Sequence, residues 1–542
     1  MTILTIPKKV FEREIGKFDE KMKDRIIMFG TEIENVNEEE INLEITPDRP
    51  DLLSYSNYKN SFLSYLGKKA GLRKININKP EKNYEVAVDS SMSKIRPYTV
   101  CAIVCGLRFD DDKIKEVIEI QEKLHLTIGR KRKKLAIGVY PLEQIKLPIK
   151  FTCLKPDKIK FQPLEFPREI TGKQILSQHP AGREYGFLLE GLEKYPVFVD
   201  ANNEILSMPP IINSHKTGKI TFNTRDVFIE VSGFDLEIQK KALNILTSAL
   251  SEIGGKIYQM KVKYSDKTIT TPDFTPEKIK LSIENTNKLL GLELKENEVK
   301  KLLEKMGYDY SNKIASVPTY RTDILHEVDL IEDIAIAYGY DNFAPEIPQI
   351  STIGETDKKE ILKSKISEIL SGLNLLETSS YHLINKETIK KLGSQTAEFV
   401  KVQNSKTEYE YLRKELSNCM FKILSENVDV EYPQEIFQIG RVFLGDLSEE
   451  EKLAVALTPG NFTKIKQVVE YLGKMLNISF DVSVPVKSPD YFIDGRVAEV
   501  KLESKTIGYF GEVHPKILKN FHLKLPVAFC EIYLKSLFEK LI

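Results

Sequence analysis

The hydrophobic pattern of the chain changes from block to block, and this limits its possible folds more than any other feature. Residues 1 to 85 alternate helical patterns with short strand-like runs, whereas strand-like runs separated by Pro, Gly and Asn turns dominate residues 86 to 265. Amphipathic helical patterns return from 268 to 345, and helices and strands mix again from 355 to 542. The sequence therefore predicts a multidomain α+β protein.

The composition excludes two broad classes of protein. Of the 542 residues 41% are hydrophobic and 29% are charged, and no run of about 18 apolar residues could span a bilayer. The N-terminus has no apolar h-region, so we expect a cytoplasmic protein without a membrane partner. Because 79 basic residues balance 79 acidic ones, contact with a nucleic acid must rely on local basic patches.

The stretch RTDILHEVDLIEDIAIAYGYDNF, residues 321 to 343, is unusually acidic for a helix that should be half buried. It carries six acidic side chains against one arginine and one histidine. At about 100° per residue, Asp329, Glu332 and Asp333 fall on one side of the helix. An apolar side that includes Val328 lies opposite. No cation stands four residues beyond Glu332, so we expect a group outside the helix to neutralise this face.

Three interpretations of these carboxylates fit the pattern. In the first, Asp323 is the N-cap, Glu327 and Asp329 favour the positive end of the helix, and the other carboxylates are solvated. In the second, the cluster is a hard-cation site, because Mg²⁺ takes carboxylate oxygens and keeps several waters, so that a partner or substrate can complete it. In the third, the cluster meets a basic patch on a partner.

The segment SVPTYRTDILHEVDLIEDIAIAYGYDNF resembles the B5 domain of the phenylalanine–tRNA ligase beta subunit family. The resemblance implies a magnesium site shared with an alpha subunit, and the matching positions are Asp323, Asp329, Glu332 and Asp333. Other motifs resemble the archaeal and eukaryotic form of the family in the same order along the chain. They include ITPDRPDLLSYSNY, LSMPPIINSHKTGKITFNTRDVFIEVSGFD and GYFGEVHPKIL.

On this resemblance the four blocks of the sequence become four domains. They are an N-terminal α+β module (1–85), a B3/B4-like sheet-rich editing domain (86–265), a B5-like helical domain (268–345) and a class II synthetase-like domain with an antiparallel sheet and helices (355–542). The resemblance implies that the chain supports ATP-dependent attachment of phenylalanine to its tRNA. The alpha subunit would carry the synthetic site and bind ATP, in a heterotetramer of two alpha and two beta chains.

The run VFIEVSG places Glu230 and Ser232 on one face of a strand, which is either an ordinary solvated face or the wall of a polar pocket. The resemblance favours the pocket, because the matching domain of the family hydrolyses tyrosine wrongly attached to the tRNA for phenylalanine. An apolar amino-acid pocket discriminates by only about 10²-fold against a substrate that carries one extra hydroxyl. A second site that binds this hydroxyl can then select the mischarged product for hydrolysis. We expect the pocket residues to be Asn213, Ser214, Glu230 and Ser232. Glu230 or a polar neighbour would recognise the phenol or orient water, while Phe234 stands where the family pattern leads us to expect a hydroxyl.

Two further stretches bear on function. The basic run GRKRKK, residues 129 to 134, is either a solvated turn or a patch for the phosphates of a tRNA. Arg413 could hold an activated carboxyl in the C-terminal domain, but no Gly-x-Gly-x-x-Arg segment is present there for the terminal phosphate of ATP. We therefore expect that domain to be catalytically silent and to present a face to an active relative.

The predicted function is that of a synthetase subunit which also removes tyrosine from mischarged tRNA. A stand-alone RNA-binding or regulatory scaffold derived from this subunit is the alternative, because Asp48, Ser405 and Phe234 depart from the family pattern. A self-contained metal-dependent hydrolase is a third hypothesis, for which the sequence supplies no assured nucleophile or base.

Overall fold

The computed structural model describes residues 2–348 and 352–542. The chain forms two compact units, Met1–Glu346 and Ile347–Ile542. Within the described residues no helix has both the length and the apolar character needed to cross a bilayer. The multidomain α+β class predicted from the sequence is confirmed, since each unit contains its own sheets, helices and buried cores.

The first unit begins with an antiparallel sheet of order β1-β3-β2 flanked by helices. Its elements are β1 (Thr2–Pro7), α1 (Lys8–Glu14), α2 (Glu20–Met28), β2 (Glu32–Val36), β3 (Glu40–Ile45) and α3 (Tyr55–Tyr65). Period-two alternation in β3 buries Ile41, Leu43 and Ile45 on one face. Before α3, Arg49 donates two hydrogen bonds to the buried Asp51, at 3.0 and 2.9 Å, and so orders the turn.

The central part of the first unit is a mixed sheet with the main path β13-β12-β11-β8-β5-β15-β6-β14-β7, and β4 and β16 also pair with β15. Its elements are β4 (Ile77–Asn78), β5 (Glu85–Val88), β6 (Tyr98–Cys105), α4 (Asp111–Leu126), β7 (Leu135–Pro141), β8 (Ile149–Leu154), β9 (Lys160–Phe161), β10 (Ile170–Thr171), α5 (Gly172–Gln178), α6 (Pro180–Tyr185), β11 (Tyr195–Val199), β12 (Ile205–Met208), β13 (Ile212–Asn213), α7 (His215–Gly218), β14 (Val227–Gly233), α8 (Leu236–Glu252), β15 (Lys256–Lys263) and β16 (Thr268–Thr271). Since β4 belongs to this sheet, residues 77–78 join the central part although the pattern placed them in the first module.

Strand β14 is buried on both faces because it lies between β6 and β7 and has a core on each side. Val227, Ile229 and Val231 pack in one core, and Phe228 packs in the other. The interpretation of the second face as an ordinary solvated one is therefore wrong. Glu230, on that face, is only 1% exposed.

The segment that resembles a B5 domain combines helices with a small sheet of order β17-β19-β18. Its elements are β17 (Glu277–Lys280), α9 (Ile283–Leu290), α10 (Glu296–Lys305), β18 (Asp309–Ser311), β19 (Ile314–Val317) and α11 (Glu327–Tyr338). Ser282 caps α9, and Gly291 ends it in the left-handed conformation. One buried cluster runs from Leu4 to Ala337, so this segment, the N-terminal sheet and one face of the central sheet share a core.

The second unit is a sheet of order β20-β23-β24-β28-β27-β26-β25, in which β20 is parallel to β23 and the other neighbours are antiparallel. Its elements are α12 (Lys358–Gly372), β20 (Leu376–Glu377), β21 (Leu383–Asn385), α13 (Lys386–Lys391), β22 (Tyr409–Leu412), α14 (Ser417–Glu426), β23 (Gln434–Phe443), β24 (Glu449–Thr458), α15 (Phe462–Met475), β25 (Asp481–Ser483), β26 (Phe492–Leu502), β27 (Lys505–Val513), α16 (Pro515–Asn520), β28 (Ala528–Tyr533) and α17 (Lys535–Leu541). Residues of α12, α15 and α17 cover one face of this sheet, and residues of α14 and α16 cover the other.

Candidate functional site

A small cavity in the central sheet contains two of the four predicted pocket residues. Asn213 and Glu230 line a space of about 100 Å³ beside α4 and β7. Ser232 lies outside it, and its Oγ accepts a hydrogen bond of 3.1 Å from Nε of the buried Arg96. Ser214 also lies outside it and precedes α7, where its N–H donates to the carbonyl of Leu206. Of the four predicted pocket residues, Asn213 and Glu230 therefore line this cavity, and Ser214 and Ser232 do not.

Glu230 is a buried carboxyl with one oxygen left without a partner. Its Oε1 lies 3.3 Å from the hydroxyl of Tyr140, while its Oε2 makes no hydrogen bond within the described residues. Burial raises the pKa of Glu230 to about 8, against the opposing effects of the Arg96 charge and of the Tyr140 and Ser232 hydroxyls. At neutral pH Glu230 is therefore mostly protonated and can donate as well as accept a hydrogen bond.

Tyr140 and Ser207, which we did not predict from the sequence, belong to the same polar group. The Tyr140 hydroxyl lies 2.8 Å from Ser207 Oγ and 3.4 Å from Asn213 Oδ1. Pairing of β7 with β14 sets Tyr140 opposite Phe228, two residues before Glu230. The alternation of KLAIGVY was the available signal for Tyr140, but no local pattern indicates which residue of β14 it meets.

His125 lines the cavity but is not available as a general base. Its Nε2 accepts a hydrogen bond of 2.8 Å from the N–H of Ile137, so the proton is on Nδ1, which lies 3.2 Å from Glu122 Oε1. Burial lowers the pKa of His125, which keeps the ring neutral. Both ring nitrogens are therefore engaged in hydrogen bonds within the protein.

The basic run 129–134 divides between the surface and the cavity wall. Arg132 donates to both carboxylate oxygens of Glu122, at 2.9 and 3.2 Å, and to the carbonyl of Ile211 at 2.8 Å. Arg132 is therefore part of the cavity wall, and the two hypotheses for the run, a solvated turn and a phosphate patch, stay open for its exposed residues. Arg130, Lys131 and Lys133 remain exposed.

In the acidic segment, Arg321 binds two of the four predicted magnesium ligands. Its guanidinium lies 2.6 Å and 2.9 Å from the two carboxylate oxygens of Asp323 and 2.8 Å from Asp333 Oδ2. Tyr308 donates a hydrogen bond to the same oxygen of Asp333. Burial alone would raise the pKa of Asp323, but the hydrogen bonds and charge of Arg321 lower it overall. Arg321 is thus the neutralising group expected from outside the helix.

Two expectations for this helix were wrong in detail. Asp333 is 4% exposed, whereas Val328, placed on the apolar side, is 48% exposed. The N-cap of α11 is His326 rather than Asp323. Asp329 supports this cap, because its Oδ2 accepts hydrogen bonds of 2.7 Å from the backbone N–H groups of Leu325 and His326. The buried arc is rotated because the Arg321 pair draws Asp333 inward.

Glu332 remains on the surface as an unpaired carboxylate. It makes neither a hydrogen bond nor an ion pair with any described residue, and partial burial with the nearby charges of Asp333, Asp329 and Asp48 raises its pKa. Within residues 2–348 and 352–542, no three His, Cys, Asp or Glu side chains are grouped as metal ligands. Because Arg321 binds Asp323 and Asp333, Asp329 and Glu332 are the two of the four predicted ligands whose carboxylates it leaves to a cation.

Arg413, the candidate for binding an activated carboxyl, is bound inside the second unit. It is 1% exposed, and its Nε donates to the carbonyl of Arg441 at 2.8 Å. Its Nη1 donates to the carbonyl and to Oγ of Ser380, at 3.1 and 2.9 Å. A Cβ at Gly440 would lie 2.7 Å from Nη2, so this glycine makes room for the guanidinium. Arg413 ties the segment around Ser380 to strand β23 and faces no open site.

Comparison with known proteins decides the family. Residues 344–534 match the family described as phenylalanyl tRNA synthetase beta chain CLM domain, and residues 279–340 match the tRNA synthetase B5 domain. A phenylalanine–tRNA ligase beta subunit of Pyrococcus furiosus is 38% identical over 98% of this chain and 99% of its own length. The chain belongs to the phenylalanine–tRNA ligase beta subunit family. This is a family of aminoacyl-tRNA synthetase (ligase) subunits, so the resemblance found in the motifs is confirmed.

Other members of the phenylalanine–tRNA ligase beta subunit family show the same relation. The Archaeoglobus fulgidus protein of that name is 36% identical over 99% of both chains. A crystal structure of an N-terminal fragment of the phenylalanyl-tRNA synthetase beta subunit from Pyrococcus horikoshii is 40% identical, with a TM-score of 0.59. It covers 62% of this chain and 99% of its own.

Proposed function

We propose that this chain is the beta subunit of a cytoplasmic phenylalanine–tRNA ligase, acting with two alpha subunits and a second beta chain. Its similarity to relatives of that name over 98% of its length carries the proposal. The second unit would be a catalytically silent class II synthetase-like domain, since Arg413 is bound to Ser380 and Arg441. The alpha subunit would therefore bind ATP and phenylalanine and carry the synthetic site.

Co-expression tests this assignment. The chain and an alpha subunit from the same genome should copurify and charge the tRNA for phenylalanine when ATP and Mg²⁺ are present, whereas neither chain alone should do so. If the purified pair does not charge this tRNA, the assignment is wrong. Binding of tRNA without charging would instead support the scaffold alternative.

For the central cavity we propose hydrolysis of tyrosyl-tRNA. Water would add to the ester carbonyl, and cleavage of the ester bond would release tyrosine and a tRNA with a free ribose hydroxyl. Support comes from Glu230, whose unpartnered Oε2 and raised pKa suit a hydrogen bond with a phenol. Asn213 adds an amide to the same cavity, while His125 is excluded as the base. Glu230 therefore recognises the substrate and leaves activation of water to another group.

Glu230→Leu tests this role because it keeps roughly the volume of the side chain and removes its hydrogen-bonding groups, whereas the amide of a glutamine could still donate to the phenol. Hydrolysis of tyrosyl-tRNA should fall at least about tenfold, as one hydrogen bond in a buried site is lost. Charging with phenylalanine should not change. Equal rates for the variant and the native complex would exclude Glu230 from recognition.

We propose further that Asp329 and Glu332 contribute to a magnesium site that the alpha subunit completes. Mg²⁺ is commonly held by one or two protein carboxylates and several waters, which matches the two carboxylates not bound by Arg321. The raised pKa of Glu332 indicates negative charge that no described cation compensates. Glu332→Gln should raise the Mg²⁺ concentration needed for assembly or charging. The exposed Glu293 of the same domain, changed to Gln, is the control.

A further inference from the structure

One hydroxyl group joins the polar side chains at the inner wall of the central cavity. The Tyr140 hydroxyl lies 2.8 Å from Ser207 Oγ, 3.3 Å from Glu230 Oε1 and 3.4 Å from Asn213 Oδ1. Its ring is fully buried and stacks on Phe228 with 5.7 Å between centroids. Core packing therefore fixes the place of this hydroxyl, independently of the cavity.

The tyrosine proton can serve Glu230. A serine hydroxyl both donates and accepts, so Ser207 can donate to the tyrosine oxygen and leave the single tyrosine proton for the carboxyl. Only Glu230 Oε1 is then held, and Oε2 stays without a partner among the described residues. The carboxyl is thus held at one oxygen, while the other is buried without a partner.

Gly138 permits this arrangement. It lies opposite Glu230 in the pairing of β7 with β14 and two residues before Tyr140. A Cβ there would lie 2.2 Å from the Tyr140 hydroxyl and 2.6 Å from Glu230 Oε1. The backbone at Gly138 is not in the left-handed region, so its conformation does not call for glycine. The glycine instead leaves the space in which the side chains of Tyr140 and Glu230 come into contact.

We propose that Tyr140 is a positioning residue of the deacylation site, which holds Glu230 through Oε1 so that Oε2 is left for the phenol of a tyrosyl substrate. This proposal rests on the proposed hydrolysis of tyrosyl-tRNA. Tyr140 acts through Glu230 and contacts no reacting atom.

The experiment compares Tyr140→Phe with the native complex by two measurements. The first is titration of Glu230, followed by the infrared carboxyl signal that disappears in Glu230→Gln. The hydroxyl of Tyr140 lowers the pKa of Glu230, so its loss should move the midpoint upward by about one pH unit. The other charged or titratable groups near this carboxyl are Arg96, Cys101, His125 and Arg132, all unchanged in the variant.

The second measurement is hydrolysis of tyrosyl-tRNA. Tyr140→Phe should slow it by about tenfold, and should add nothing further in the Glu230→Leu background, because the two residues act as one unit. Tyr195→Phe, which removes the hydroxyl of another largely buried tyrosine of the same sheet, is the matched control and should leave both measurements unchanged.

An unchanged midpoint in Tyr140→Phe, or a full additional loss in the Glu230→Leu background, would overturn the proposal. If the native complex does not hydrolyse tyrosyl-tRNA, the proposed activity fails, while the titration still decides whether Tyr140 holds Glu230. If Tyr140→Phe does not fold, Ser207→Ala replaces it. Ser207→Ala releases the far end of the same chain of hydrogen bonds and should shift the midpoint in the same direction, and no shift there also counts against the proposal.

Discussion

Replacing Arg321 by leucine should destabilise the segment around α11, because it leaves two buried carboxylates without their cation. The side chains of Asp323 and Asp333 are 15% and 5% exposed, so neither can be rehydrated without local opening. Removing one partner of a buried ion pair costs about 3–5 kcal/mol. The leucine recovers some packing, so we expect the free energy of local opening to fall by about 3 kcal/mol.

The size of this effect should depend on pH. Burial raises and Arg321 more strongly lowers the pKa of Asp323, so the native ion pair contributes stability above about pH 3.9, the ordinary aspartate value. That contribution is lost as the pH falls through the lowered pKa. In the variant the carboxylates can take up protons without giving up a partner. The difference between variant and native protein should therefore be largest near neutral pH and should shrink below about pH 4.

Hydrogen–deuterium exchange of the full-length chain, read by mass spectrometry, measures this opening locally. Peptides covering residues 308–338 should exchange roughly 10²-fold faster in Arg321→Leu, since about 1.4 kcal/mol is a factor of ten. Peptides of β23 and β24 serve as the internal reference. Arg321→Lys keeps the charge but not the two-pronged contact, and should give a smaller change. A change below about fivefold, or one equally large at pH 7 and pH 3, would refute the ion-pair account.

Three further results are expected. Hydrolysis of tyrosyl-tRNA should decline as the pH rises through about 8, the pKa of Glu230, because ionisation removes the proton it can donate, and a rate profile from pH 6 to 9 measures this. Arg413→Met should destabilise the second unit by about 2–3 kcal/mol in urea denaturation, because the carbonyls of Ser380 and Arg441 lose their donor. Lys131→Glu combined with Lys133→Glu should weaken tRNA binding, and less so at high salt, if these exposed lysines meet phosphates.

The acidic segment shows what a helical pattern predicts and what it cannot. Periodicity located the helix and singled out its carboxylates, because both depend on near neighbours in sequence. The burial of Asp333 depends on Arg321 and Tyr308, which lie 12 and 25 residues away and occupy no position of the helical repeat. The helical periodicity, which considers one helix by itself, therefore predicted an exposed Asp333 and a buried Val328.

The cavity shows the same limit in a sheet. Strand alternation identified Glu230, and the family resemblance added Asn213. Tyr140 and Ser207 could be recognised as part of the site only from the pairing of the strands. Their hydroxyls are in contact although the two residues are 67 positions apart in the sequence. Ser232 was assigned to the pocket by its face alone, and Arg96, 136 residues away, takes its hydroxyl instead.

The buried cluster that runs from Leu4 to Ala337 bears on how the chain can be divided in the laboratory. Cutting near residue 85 or 268, where the sequence motifs change, would split this cluster and leave apolar surface open to aggregation. A fragment ending near residue 346 keeps the cluster whole. The crystallised N-terminal fragment from Pyrococcus horikoshii, which covers 62% of this chain, has a comparable extent. Three of the four sequence blocks therefore behave as one unit for truncation and should be expressed, exchanged or evolved together.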